Sequence, residues 1–245
     1  MKRVQYKVPI LAFALVAICC ASLASAQEAP VHKQNTRPGT VAKPDGSPIG
    51  AHKSSPTFGY EFTQPNFYLR HIVIEHDDSG HGKVTFERLN EDVPIIEDLQ
   101  ISPTALKRIT GLWQALRFLD SETNYQSDRQ YAHLGTMKLS MVDGERKRTT
   151  EFNWSDVKEA ADLASEYRRV ADQASFVFDV SVARENQPLN TPKLMGAFES
   201  LLKRNALSDP QQMVPLLKDI SSDERLPLIT RNHALRLIAQ IEKHN

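Results

Sequence analysis

Three observations predict an α+β fold. Apolar residues alternate over Phe67–His76, Lys83–Leu89 and Thr136–Val142, the period of half-buried strands. They recur every three or four residues over Ser102–Asp120 and again from Ser155 to about Arg184, the period of amphipathic helices. The order strand-strand-helix occurs twice, and an isolated hairpin is marginal in water. The simplest arrangement is a four-stranded antiparallel sheet from two β-hairpins with two helices on one face, ββαββα, followed by a three-helix C-terminal subdomain. The chain divides into a signal peptide (1–26), a disordered linker (27–60), an α+β domain (61–187) and a helical subdomain (188–245).

Lys2, Arg3 and Lys7 open the chain, an apolar run follows over 8–22, and Ala24-Ser25-Ala26 forms a small-residue cleavage signature. This is the pattern of a secretory leader and implies a periplasmic or secreted protein. Both cysteines, Cys19 and Cys20, lie within it, so the processed chain has neither a thiol nucleophile nor a disulfide. The whole chain carries 30 basic and 30 acidic residues, and loss of the leader removes only positive charge. A slightly acidic protein is expected, which argues against nucleic acid as a partner. Once the leader is gone, no transmembrane segment is expected. RPGT, KPDGSP and KSSP then supply turn and linker chemistry with no apolar period.

In the first hairpin, Asp77-Asp78-Ser79-Gly80-His81-Gly82 forms the turn, and a polar connection containing Pro94 leads to the first helix. Ser102 is a good N-cap and Pro103 suits the first helical position. Leu106, Ile109, Leu112, Trp113, Leu116 and Leu119 give this helix the strongest apolar stripe in the chain. In the second hairpin, Asp143-Gly144 predicts a two-residue turn that pairs Val142 with Glu145. Met137, Leu139, Met141, Arg146, Arg148, Thr150 and Phe152 then share the helix-facing side. Ser155 is expected to cap the long helix, with Asp156 and Glu159 in its first turn. Thr191-Pro192 and Asp209-Pro210 open further helices, Pro215 should disturb the second of them, and Leu226–Lys243 forms the last. These helices are expected to pack on the α+β domain, over the second face of its sheet.

Residues from Phe67 through Phe152 resemble a family of small exported bacterial domains of unknown function. The matching pieces are Asp78, Gly80 and Gly82, Val84-Thr85-Phe86, Ile101-Ser102, Phe118-Leu119-Asp120, Tyr125 and Arg146-Lys147-Arg148. The resemblance implies the hairpin-helix-hairpin-helix fold and an envelope location, and brings no catalytic residues. The segment VPLLKDISSDERLPLITRNHALRLI resembles one HEAT-type helical hairpin.

Two groups of side chains invite chemistry. His76, Asp78 and His81, with His71 and Asp77 nearby, could offer imidazole and carboxylate ligands to a zinc-like ion across the first hairpin turn. Arg146 and Arg148, with Tyr125, Arg129 and Tyr131 of the loop 121–133, could form a small anion-binding patch. Glycine-rich phosphate loops, G-x-S-x-G, H-E-x-x-H and C-x-x-C are absent from the sequence. The reading favoured is a non-enzymatic exported module, without a cofactor, that binds another envelope protein. The alternative is a metal-binding hydrolase built on the first hairpin turn.

Overall fold

The structure is a computed structural model that describes residues 55–243; the leader and most of the linker lie outside the described residues. It is α+β, with a six-stranded antiparallel sheet where the sequence predicts four strands. The strands are β1 (Thr57–Thr63), β2 (Leu69–His76), β3 (His81–Arg88), β4 (Ile95–Gln100), β5 (Thr136–Asp143) and β6 (Arg146–Phe152), in the spatial order β4-β3-β2-β1-β5-β6. The two hairpins do share one sheet, but β1 stands between them and pairs with both.

Both additional strands have a physical reason for escaping a sequence reading. Strand β1 begins inside the stretch assigned to the linker. Phe58, Tyr60 and Phe62 alternate inward and are buried, yet Gly59 and Pro56 give their surroundings a linker's composition. A Cβ at Gly59 would meet Ser140 Oγ on the neighbouring strand, so that hydroxyl would have to rotate to admit a side chain. Strand β4, IIEDLQ, lies at the sheet edge and buries only Leu99, so it carries almost no alternation.

In the second hairpin Asp143 pairs with Arg146 and Met141 with Arg148, two positions away from the predicted register. The loop residues are Gly144 and Glu145, and only Gly144 takes a positive φ, +62°. That is the requirement of a turn with glycine first, rather than of one needing positive φ twice. A shift of two preserves the face of every side chain, so the inward set is the predicted one.

The first helix, α1 (Pro103–Ala115), starts as predicted, with Ser102 Oγ accepting from the Ala105 N–H. It ends earlier. Arg117 adopts φ +46°, which stops the helix and turns Phe118 into the core. The long helix α2 (Lys158–Asn186) follows β6. Ser155 Oγ accepts from the Val157 N–H, and Val157 rather than Ser155 holds the cap position. Asp156 precedes the first turn and accepts instead from Ser127 Oγ.

Two cores share α2. Its first half, through Leu163, Tyr167 and Val170, packs with α1 onto the inward face of the sheet. Its second half, through Phe176 and Val180, packs against α3 (Thr191–Lys203), α4 (Val214–Ser222) and α5 (Leu228–Lys243). The C-terminal helices therefore cluster on the far half of α2, not on the second face of the sheet. Pro215 falls in the first turn of α4, directly after a tight 3-10 turn over Pro210–Met213.

Candidate functional site

Most sequence-predicted site residues serve the fold. His76 is 2% exposed, and both its ring nitrogens are occupied. The Asp77 carbonyl, 2.7 Å from Nδ1, can only accept, so Nδ1 carries the proton. In the neutral ring Nε2 must then accept from the Tyr167 hydroxyl at 2.8 Å, and that oxygen accepts from Trp113 Nε1–H at 2.9 Å. The result is a fully satisfied buried chain, Trp113 to Tyr167 to His76 to the Asp77 carbonyl, tying α1, α2 and β2 together. Burial holds the His76 pKa below its ordinary value, which keeps the ring neutral.

His81 is exposed, and Gly82 rather than His81 stands opposite His76. Asp77 organises the turn by accepting from the Ser79 N–H, the Ser79 hydroxyl and the His81 N–H. The structure thus does not bring His76, Asp78 and His81 together as ligands. Among the described residues no group of three or more His, Cys, Asp or Glu side chains could hold a metal ion.

The arginine patch is likewise divided. Arg148 lies against the rings of Phe118 and Tyr125, 4.7 and 5.2 Å from their centroids. Its guanidinium donates to the carbonyls of Phe118 and Thr123, both at 2.6 Å. Tyr125 is buried, and Arg146 pairs with Asp120 and Asp143. Tyr131 packs edge-on against Trp154, and Arg129 is exposed without a salt bridge among the described residues. The loop 121–133 runs beside β6, where Gln126 and Asn153 exchange side-chain and backbone hydrogen bonds and the Ser127 N–H meets the Trp154 carbonyl. The loop is thus anchored just past the end of β6, at Asn153 and Trp154, and by the Arg148 side chain.

The β4 edge of the sheet is open. Beside β4 lies a groove of about 580 Å³, walled by Glu97–Ser102, by Ala174, Val177 and Phe178 of α2, and by Pro215, Leu216 and Asp219 of α4. That volume is in the range of binding clefts. Gln173 and Gln212 secure its closed end. Gln173 accepts from the Asp209 N–H and donates to Gln212 Oε1, and Gln212 Nε2 donates to the Gln100 carbonyl at 2.9 Å. Gln100 thus turns its backbone away from β3, whereas Ile101 donates its N–H back to Gly80. The alternation of an antiparallel ladder then points the N–H and C=O of Ile96 and Asp98 outward as well. Ile96 is 62% and Val177 40% exposed, an apolar presence at both the edge and the groove wall.

Sequence reasoning passes over this site. Its available signal is the apolar–acidic run Ile95–Leu99 between Pro94 and Ser102, together with Val177 on the flank of a helix that otherwise reads as core. No protein-family model matches the chain, and no curated protein is significantly similar to it. No helix among the described residues is long and apolar enough to cross a membrane.

Proposed function

We propose that this is an exported, non-enzymatic interaction module that binds an extended polypeptide segment of another envelope protein in the groove beside β4. The observation that carries this reading is the juxtaposition of a free sheet edge and a cleft. The β4 edge presents the unpaired backbone groups of Ile96 and Asp98 directly next to a cleft with apolar walls. Strand addition to a free edge is an established mode of peptide recognition: the ladder supplies affinity and neighbouring pockets supply specificity. The basic–apolar start of the chain, its cleavage signature and the resemblance to exported domains support the envelope location.

The reading predicts a specific footprint. In amide exchange on the purified protein with saturating extended peptide, Ile96 and Asp98 should slow while the β6 amides stay unchanged. Peptide binding that persists in Val177→Arg, with no change at β4, would refute the assignment of the groove.

A further inference from the structure

Resting on that reading, we infer that the occupant is a cationic strand of alternating apolar and basic residues, added to β4 as a seventh strand. Three observations lead there. First, every charged residue lining the groove is acidic: Glu97, Asp98 and Asp219. All three are exposed and none forms a salt bridge among the described residues. Of the cations nearby, Lys83 stands opposite Asp98 on the open face with Glu75 on its other side, so that cross-strand row stays net acidic, and Arg88 lies behind Phe178, 5% exposed and taken by Asp179 at 2.6 Å and by Glu91.

Second, the pleat assigns the two faces of the incoming strand. Glu97 and Leu99 stand opposite the inward residues Val84 and Gly82, so they point to the α2 side. Ile96 and Asp98 point to the open face of the sheet. A strand alongside β4 therefore places alternate side chains over Leu99, Val177 and Phe178, and the others beside Asp98. Apolar residues fit the first set and lysine or arginine the second, with Glu97 and Asp219 favouring a further cation at the groove mouth.

Third, the acids account for which strands are excluded. A second β4 edge paired antiparallel about position 97 or 98 would set Glu97 or Asp98 against its own copy, and like charges directly opposite are unfavourable. The same residues that suppress self-pairing thus admit a strand of opposite charge, so one feature both repels and selects. Gln212 on the Gln100 carbonyl marks where the added ladder stops. The paired stretch is centred on Ile96–Asp98 and is short, which makes the charge contribution a large share of the affinity.

The test uses the purified full protein and three labelled peptides in fluorescence anisotropy: acetyl-(Val-Lys)4-amide, acetyl-(Val-Glu)4-amide and acetyl-(Gly-Lys)4-amide. The expected result is binding of the Val-Lys peptide at least about tenfold tighter than of either control, with affinity falling as salt rises. Asp98→Lys, a substitution at an exposed position, should reduce that preference or reverse it toward the Val-Glu peptide. Equal affinity for Val-Lys and Val-Glu overturns the charge inference while leaving strand addition standing. Equal affinity for Val-Lys and Gly-Lys shows charge attraction without a groove and overturns the alternating strand. Absence of binding by all three removes both this inference and the function it rests on.

Discussion

Tyr167→Phe isolates the buried polar chain at the centre of the first core. The substitution deletes one oxygen and leaves the ring, which stacks on Tyr60 at a centroid distance of 5.2 Å. Two groups lose their partner at once: Trp113 Nε1–H, in a residue 3% exposed, and His76 Nε2, in a residue 2% exposed. A buried polar group left unsatisfied costs about 1–3 kcal/mol. Partial relaxation of two such groups gives a loss of about 2–4 kcal/mol. With a urea dependence of about 2 kcal/mol/M, the unfolding midpoint should fall by about 1–2 M. Urea titration near neutral pH measures it directly, and nitrogen chemical shifts of the His76 ring in the unsubstituted protein should report a proton on Nδ1. A loss below about 0.5 kcal/mol, the scale of an ordinary surface substitution, would refute the chain of hydrogen bonds.

Strand β2 holds two histidines with opposite expected pH behaviour. Burial would lower the His71 pKa, but its contacts with Glu87 at 3.0 Å and Glu61 at 3.1 Å outweigh that and raise it. Its stabilisation is therefore complete below the ordinary value and is lost as pH rises through the folded one, so His71→Gln should cost more at about pH 5.5 than at about pH 8.5 in urea titrations. His76 has the reverse sign. Its folded pKa is depressed, so the unfolded chain binds the extra proton and His76 draws stability down as pH falls below the ordinary value; His76→Gln should flatten that acid limb. Gly111 and Gly196 sit inside helices where an added Cβ would meet nothing within 4 Å, so Gly111→Ala and Gly196→Ala should each stabilise by about 0.5–1 kcal/mol in thermal melts. Arg148→Ala should free the loop 121–133, seen as faster proteolysis there and a loss of about 2–3 kcal/mol, and Arg148→Lys should not rescue it because one ammonium cannot reach both carbonyls as a planar fork does.

What is legible in the sequence follows the physics of burial. The Ser102-Pro103 start, the Ile109–Trp113 stripe and the helix through Tyr167 all carry a strong periodic signal, and each lies where that signal puts it. Parity is more legible than register. Met141 and Arg148 fall on the predicted face while their pairing differs by two, because side-chain alternation depends on sequence alone and the loop on which peptide takes positive φ. The candidate groove is not legible. Edge strand β4 buries only Leu99 where its neighbour β3 buries Val84, Phe86 and Arg88, and the outward N–H and C=O groups of Ile96 and Asp98 belong to a backbone that every residue possesses. His76 misleads for a related reason: a histidine beside a turn has the same letters whether it faces solvent or, as here, Tyr167.

The groove also depends on how the two cores are joined. Helix α2 is continuous through both, 29 residues or about 43 Å long, so its Ala174–Phe178 segment is the common floor between the sheet edge and α4. Across that floor the connections are mainly polar. Gln173 and Gln212 link α2, the turn at Asp209 and the end of β4, while Arg108 on α1 bonds both Glu166 and the Ser208 carbonyl. Amide and guanidinium groups bridge two packed bodies without filling the space between them, whereas an apolar seam would close it to interior density. The cleft is therefore kept open by the chemistry of its supports. Replacing Gln173 and Gln212 together by leucine should draw α4 toward β4, leave the fold intact and abolish peptide-dependent protection at Ile96 and Asp98. Retained protection in that double variant would show that the groove's width is set by α2 alone.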